Sequence, residues 1–352
     1  MMAGPPGRVR FCPVGDESLL TVRGLSVAFE RDGRFCRVVD GVSFDIFPGE
    51  TLAIVGESGS GKSVTALAIM RLLGDTARVA CDELSYRGTP ILSMSPAALR
   101  AFRGRRVAMI FQDPMTSLDP VMRVGDQVAE AIALHESLPR KALRARVEEV
   151  LAAVGFPDPR SGADRYAHEL SGGLRQRILI AIAISANAEL ILADEPTTAL
   201  DPTLQAQVLD LLERLRAERN LSLLLVTHDL GVVSERADRV VVLYAGQVVE
   251  AGATRQVFDA PAHPYTKALL AARPALGQAS SRKSVLRPIP GMVPPPEAWP
   301  RGCRFASRCY QAVAECTHDP GPMLRAPTID AHDGHGSRHR VTRCAFAVQE
   351  LP

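Results

Sequence analysis

The sequence predicts an α/β fold organised around a phosphate-binding loop, and three observations carry that reading. Gly56-Glu57-Ser58-Gly59-Ser60-Gly61-Lys62-Ser63 fits the pattern G-x-x-x-x-G-K-[ST]. The apolar run 51–55 before it reads as a buried strand, and 64–73 after it as a helix stopped by Gly74. Three further apolar runs, 106–111, 190–193 and 221–227, end in Gln112, Asp194-Glu195 and His228-Asp229. Open α/β sheets carry their active sites at the C-terminal ends of such parallel strands.

The 352 residues suffice for one large domain with an appendage, or for two domains, and 46% apolar content can bury a sizeable core. A formal charge of +2 gives no reason to invoke nucleic acid. No apolar run approaches the roughly 18 residues a membrane span needs. Residues 1–14 lack the apolar centre of a secretory signal. The expectation is a soluble chain in a compartment where thiols stay reduced.

Taken in order, residues 1–17 read as disordered. Residues 19–29 alternate as a strand does, and 37–47 read as a pair of short β segments, with Arg31-Asp32-Gly33 as the turn between. Pro48-Gly49-Glu50 is a second turn. These strands form an antiparallel layer beside the nucleotide. Phe29, with Phe35 second, is the candidate to stack on adenine, although core packing explains either ring as well. Helices are expected over 95–102, 124–134 and 139–154, the first announced by Ser95-Pro96. The basic residues of 140–146 read as a solvated helix face. Residues 240–244 and 247–250 flank Ala245-Gly246 as a hairpin.

The chemistry follows from the residue types. Glycines 56, 59 and 61 let backbone N–H groups wrap phosphate oxygens, with Ser58 and Ser60 in the same cradle. Lys62 would reach the β- and γ-phosphates, and the Ser63 hydroxyl would ligate Mg²⁺. Asp194 is the partner for the metal, and Glu195 beside it can act as general base toward water. Gln112 offers an amide to metal or water. His228 can bond the γ-phosphate and hold Glu195. Ser171-Gly172-Gly173 at a helix N-terminus is a further anion site.

Together, residues 56–63, Gln112, 170–177, 191–195, Ala199-Leu200-Asp201 and His228 resemble, in order and spacing, the nucleotide-binding subunits of ABC transporters. The resemblance implies a P-loop NTPase ABC cassette over 18–262. Such a cassette has a mixed sheet core, an antiparallel β layer and a helical subdomain at about 90–185. It also implies a head-to-tail dimer in which Ser171, Gly172, Gly173 and Asp201 of one subunit close on ATP held by the other. Gln112 would be the hinge that senses the γ-phosphate. Leu174 stands where the commonest pattern has Gln, and Thr198 where Ser is usual.

The segments 263–270, 289–296 and 302–309 resemble the C-terminal extension of dipeptide/oligopeptide importers, which implies an ATPase subunit powering peptide import. The implied partners are a second ATPase subunit, either a related but distinct chain or a second copy of this one, two membrane permeases at whose cytoplasmic face the chain would sit, and indirectly an extracytoplasmic binding protein. Nickel or another small solute is an alternative cargo. A soluble ABC ATPase of translation or DNA repair is an alternative class; the single cassette and the lack of heptads between Lys62 and Asp194 speak against it. In a third reading the tail is a redox sensor and the ATPase is secondary.

The extension, 263–352, is expected to hold a Pro-rich linker over 274–300 and a small cysteine-containing unit. Four of seven cysteines, Cys303, Cys309, Cys316 and Cys344, lie in the last fifty residues, with gaps of five, six and twenty-seven. Disulfides are disfavoured in a reducing compartment and the gaps suit zinc poorly. A [4Fe–4S] cluster, as some members of the resembled branch carry, is the leading expectation. Zinc with His332, His335 or His339, and unliganded thiols, stay open. Cys12, Cys36 and Cys81 read as packing residues.

Overall fold

The alternation over 19–29 becomes strand β1 (Leu20–Arg31), paired antiparallel with β2 (Arg34–Ile46) across a turn at Asp32 and Gly33, both at positive φ. The chain is described here by a computed structural model covering residues 17–198, 200–272, 289–318, 322 and 340–344. Where two short segments are expected, β2 is one strand of 13 residues. Register shifts opposite its partner keep Val39, Val42, Phe44 and Ile46 on the buried face. After β3 (Thr51–Val55) and α1 (Lys62–Ile69), the chain returns to this layer as β4 (Ala77–Ala80), β5 (Glu83–Tyr86) and β6 (Thr89–Pro90). Strands β4 and β5 both pair with β1. They are absent from the sequence reading because four residues are too few to show a period.

The expected helices form as α2 (Pro96–Phe102), α4 (Val124–Ala133) and α5 (Arg140–Ala153), joined by β7 (Val107–Ile110), α3 (Pro114–Ser117), α6 (Pro159–Gly162) and α7 (Gly172–Ile184). Ser95 caps α2 by accepting the Ala98 N–H at 3.2 Å. The basic stretch on α5 is a solvated face: Arg144 pairs with Glu148 and Asp164, and Arg146 with Glu149. The rest of the chain supplies β8 (Leu190–Asp194), α8 (Pro202–Arg219), β9 (Ser222–Thr227), α9 (Leu230–Arg236), β10 (Arg239–Tyr244), β11 (Gln247–Ala253), α10 (Thr254–Asp259), α11 (Pro264–Ala271) and β12 (Val341–Thr342).

The central sheet has the order β12-β11-β10-β3-β9-β8-β7. Its members from β10 to β7 are parallel, and β11 and β12 add antiparallel at one edge. Strand β3 is buried throughout, as a continuous apolar run in a parallel sheet must be. One core lies between this sheet and α4, α5, α7 and α8, with Ile110, Ile132, Leu151, Ile180 and Leu212 in it. A second joins the sheet to α1 and the β layer through Leu25, Phe44, Ile54, Ile69 and Leu192. Among the described residues no helix is long and apolar enough to cross a membrane.

The C-terminal region packs on the sheet itself. Tyr244 of β10, Tyr265 of α11 and Phe305 cluster in tilted and edge-on contacts with centroids 4.7, 5.2 and 5.3 Å apart. Arg340, 1% exposed, pairs at 3.0 Å with Glu250, which is fully buried. Much of the expected linker, 274–288, lies outside the described residues. Its remainder is docked: Trp299 lies under the Arg304 guanidinium at 3.7 Å, and Glu297 pairs with Arg31 at 2.9 Å.

The iron–sulfur expectation is corrected. Among the described residues no three His, Cys, Asp or Glu side chains are grouped to hold a metal ion. Instead two of the sulfurs, those of Cys303 and Cys309, take part in packing. Cys303 and Cys309 lie against the aromatic cluster, and burial pushes the Cys303 thiol up to about 11, in the neutral form. Cys316 presents its carbonyl to the Cys303 N–H at 2.7 Å, and Cys344 is a free thiol after β12. His332, His335, His339 and Cys12 lie outside the described residues. Cys81 packs beside the second core, and Cys36 stands opposite Phe29.

Candidate functional site: a phosphate loop and four strand ends

The loop of residues 56–63 leaves β3 and enters α1, so its N–H groups gather at a helix N-terminus. Gly56 has φ 155°, and a Cβ there would lie 2.2 Å from the Leu243 carbonyl. Gly61, at φ 98°, would bring a Cβ 3.0 Å from the Val38 carbonyl. Both glycines are therefore required by the close approach of neighbouring backbone. Lys62 is 6% exposed and donates to the carbonyls of Gly56 at 2.8 Å and Glu57 at 3.1 Å. Burial pushes its ammonium below the usual lysine range, against the pull of Glu195 and Asp194.

Asp194, at the end of β8, accepts the Ser63 hydroxyl at 2.9 Å. Burial pushes its carboxyl up, with the Ser63 bond opposing. Glu195 follows at a positive φ of 46°, which turns its side chain toward the ends of β7 and β9. There its Oε2 accepts Thr198 Oγ1 at 2.8 Å and Gln112 Nε2 at 3.2 Å, and Oε1 lies 3.3 Å from His228 Nδ1. Burial alone would raise this carboxyl. The Thr198 hydroxyl and His228 outweigh it and hold Glu195 below the usual range. The ends of β3, β7, β8 and β9 thus bring Lys62, Ser63, Gln112, Asp194, Glu195 and His228 into one connected cluster.

The donors fit a magnesium nucleotide. Among the described residues buried Ser60 Oγ has no hydrogen-bond partner, and a Cβ on Gly59 would meet nothing within 4 Å, so the loop has unused polar capacity and open space at Gly59. Ser63 and Asp194 supply hard oxygen donors, which Mg²⁺ prefers.

Other expected site residues stand apart. Ser171 caps α7 by accepting the Leu174 N–H at 3.4 Å, and Asp201 caps α8 through Thr203 and Leu204 at 3.0 Å. Gly173 lies against Leu204, so these two segments adjoin each other. Among the described residues, no hydrogen bond or ion pair joins either segment to the phosphate loop. Leu174 packs beside the first core, which accounts for an apolar residue there. Phe29 is half-buried on β1 beside the second core, and the more exposed Phe35 carries Arg78 over its ring at 3.5 Å.

Residues 39–198 match the family described as ABC transporter, and 249–316 the family described as oligopeptide/dipeptide transporter, C-terminal region. A Brucella abortus relative is 47% identical over 306 residues, covering 87% of this chain and 91% of its own. A Brucella ovis relative is 46% identical over 331 residues, covering 92% and 96%. The names of both describe peptide import ATP-binding proteins. This chain belongs to the ABC transporter ATP-binding family.

Solved ABC structures agree with the fold of this ABC ATPase. The dimeric MJ0796, a bacterial ABC transporter cassette, superposes with a TM-score of 0.60 at 25% identity, covering 67% of this chain and 99% of that one. The cbiO1 protein from Clostridium perfringens, part of the transporter complex cbiONQ, gives 0.57 at 26% identity, covering 70% and 92%. Sequence reasoning identified the ABC motifs but missed three residues touching the ATPase site. Thr198 was noted only as a departure from Ser, yet it holds Glu195. Tyr265 and Arg308 both bond Glu57 of the phosphate loop, across 208 and 251 residues of sequence. No local pattern could announce pairs so far apart.

Proposed function

We propose that this ABC ATPase powers import of di- or oligopeptides through a multi-subunit transporter. The observation that carries the reading is the match of 249–316 to an oligopeptide/dipeptide transporter C-terminal region. The names of the Brucella relatives support it.

In this reading 18–262 is the ATPase domain, with a helical subdomain at about 90–185, and 263–352 is the extension. The disordered N-terminus expected over 1–17 lies, but for Glu17, outside the described residues. The loop N–H groups from Gly56 to Gly61, with Ser58, Ser60 and Lys62, hold the phosphates. Phe29 stacks on adenine. Ser63, Asp194 and Gln112 hold Mg²⁺, which when bound neutralises charge on the β- and γ-phosphates. Glu195 accepts a proton from the attacking water, and His228 fixes the Glu195 carboxylate and bonds the γ-phosphate. A ground-state carboxylate held below its usual range suits a base that must be ionised near neutrality.

Ser171, Gly172, Gly173 and Asp201 complete the ATP site of a second subunit. Their separation from the chain's own loop, and the dimeric state of MJ0796, support that arrangement. The second ATPase subunit is a related, distinct chain. Two permeases supply the pore and hold this subunit at the cytoplasmic face of the membrane, while an extracytoplasmic binding protein selects cargo. Gln112, bonded to Glu195, passes nucleotide state to the helices that follow it.

The test is capture of the tagged chain from gently solubilised membranes, with mass spectrometry of the proteins retained. Two multi-span permeases and a second ATPase are expected. Ribosomal or DNA-repair proteins in their place would overturn the transport reading.

A further inference from the structure

Glu57 is the acid within the phosphate loop, and the C-terminal region holds it from behind. Its carboxylate takes a two-point bond from Arg308, Nη1 to Oε2 at 2.7 Å and Nη2 to Oε1 at 2.9 Å. The Arg308 side chain is 4% exposed. Its other donors reach the Pro290 carbonyl at 2.8 Å, Tyr244 Oη at 3.4 Å and the Ile289 carbonyl at 3.4 Å. All five N–H groups of the guanidinium are thereby engaged. Glu57 also donates its backbone N–H to Tyr265 Oη at 2.9 Å. Its carbonyl accepts Lys62 Nζ at 3.1 Å and Ser60 N at 3.2 Å. One loop residue therefore connects the C-terminal region to Lys62 and Ser60 of the same loop.

The residues around Arg308 are themselves fixed. Phe305 sits in the cluster with Tyr244 and Tyr265, and Arg304 donates to the Ala245 carbonyl at 2.5 Å and pairs with Asp40 of β2. A guanidinium placed so firmly does two things for its carboxylate. It cancels a negative charge that would otherwise stand beside a bound triphosphate, and it fixes the loop segment whose carbonyl holds Lys62. Unscreened like charges in a partly buried site repel far more strongly than in water.

We propose that Arg308 is a positioning residue for the phosphate loop: by neutralising and orienting Glu57, the C-terminal extension sets the affinity of the loop for ATP. The proposal rests on nucleotide binding at this loop and makes the extension part of the site's support.

The test is equilibrium binding of a fluorescent ATP analogue, with Mg²⁺, to the purified full-length chain, with thermal melting as the fold control. R308Q is expected to bind about ten-fold more weakly, from the loss of one charge partner. Adding E57Q to R308Q removes the exposed charge and is expected to restore most of the affinity, which lost packing alone would not allow. Unchanged binding by R308Q, or a double variant as weak as the single, overturns the proposal. Should R308Q not fold, Glu57→Asp shortens the acid and breaks the two-point bond from the other side. E57D is then expected to bind more weakly than E57Q, and equal binding overturns the proposal. Absence of binding by the unsubstituted chain would overturn the ATP-site reading as well, whereas binding indifferent to Arg308 overturns this proposal alone.

Discussion

Glu195 Oε1 and His228 Nδ1 stand 3.3 Å apart, one at the end of β8 and the other at the end of β9. The neighbouring strands β8 and β9 run parallel in register, Asp194 beside Val226, so the two side chains meet just past the C-terminal ends of these strands. This contact brings the proposed base, Glu195, together with the imidazole proposed to hold it. Glu195→Gln keeps the shape and removes the base. ATP binding is expected to persist while turnover falls about 10²–10⁴-fold. Phosphate release measured alongside nucleotide binding checks this, and a normal rate would exclude Glu195 as the base.

Thr198 controls the same carboxylate through its 2.8 Å hydrogen bond to Oε2. That bond favours the ionised form and helps hold the Glu195 carboxyl low. Thr198→Val removes it, so the carboxyl should rise. With Glu195 as the proposed base, activity needs the ionised form and is lost as pH falls through this value. The acidic limb of the pH–rate profile should therefore move to higher pH in T198V, while the rate near neutrality changes less. An unmoved limb would show that Thr198 only packs.

His263 gives a separate dependence on pH, in stability. It is 1% exposed, its Nδ1 accepts the Tyr265 N–H at 3.0 Å, and burial pushes it down to about 3. A histidine held neutral in the fold binds a proton only when unfolded, so stability is complete above the ordinary value near 6.5. It is lost progressively as pH falls from there toward the folded value. The loss from this group should reach about 2 kcal/mol by pH 5. His263→Asn, which can still cap α11, should flatten the difference between urea unfolding at pH 7 and at pH 5.

Arg340 and Glu250 form a buried pair at 3.0 Å, with Glu250 also accepting the N–H groups of Ala262 and His263 at 2.9 Å. Arg340→Met leaves the carboxylate without its charge partner and should cost about 3–5 kcal/mol. Adding Glu250→Gln should recover part of that loss. Chemical denaturation of the three proteins checks it. By contrast Arg255 and Asp259, 93% and 71% exposed, should separate with little effect on the same measurement.

The parallel strands, the loop glycines and the cap at Ser95 were legible in the sequence because each is a local rule with a short period. Strands β4 to β6 were not, since they hold four, four and two residues. The cysteine cluster misled: four thiols close in sequence suggested ligands, but no metal-holding group forms among the described residues, and Cys303 and Cys309 are packing partners for an aromatic cluster.

The sequence by itself determined that a phosphate loop sits between a buried strand and a helix, and that Asp194, Glu195 and His228 end apolar strands. Backbone chemistry and hydrophobic period suffice for both. Only the tertiary structure decided that Thr198 and Gln112 share the Glu195 carboxylate, and that Arg308 and Tyr265 hold Glu57. Those contacts depend on which strand lies beside which and on how the C-terminal region returns to the sheet. Such contacts between distant residues are selected by the packing of the whole molecule, and leave no spacing in the sequence to read.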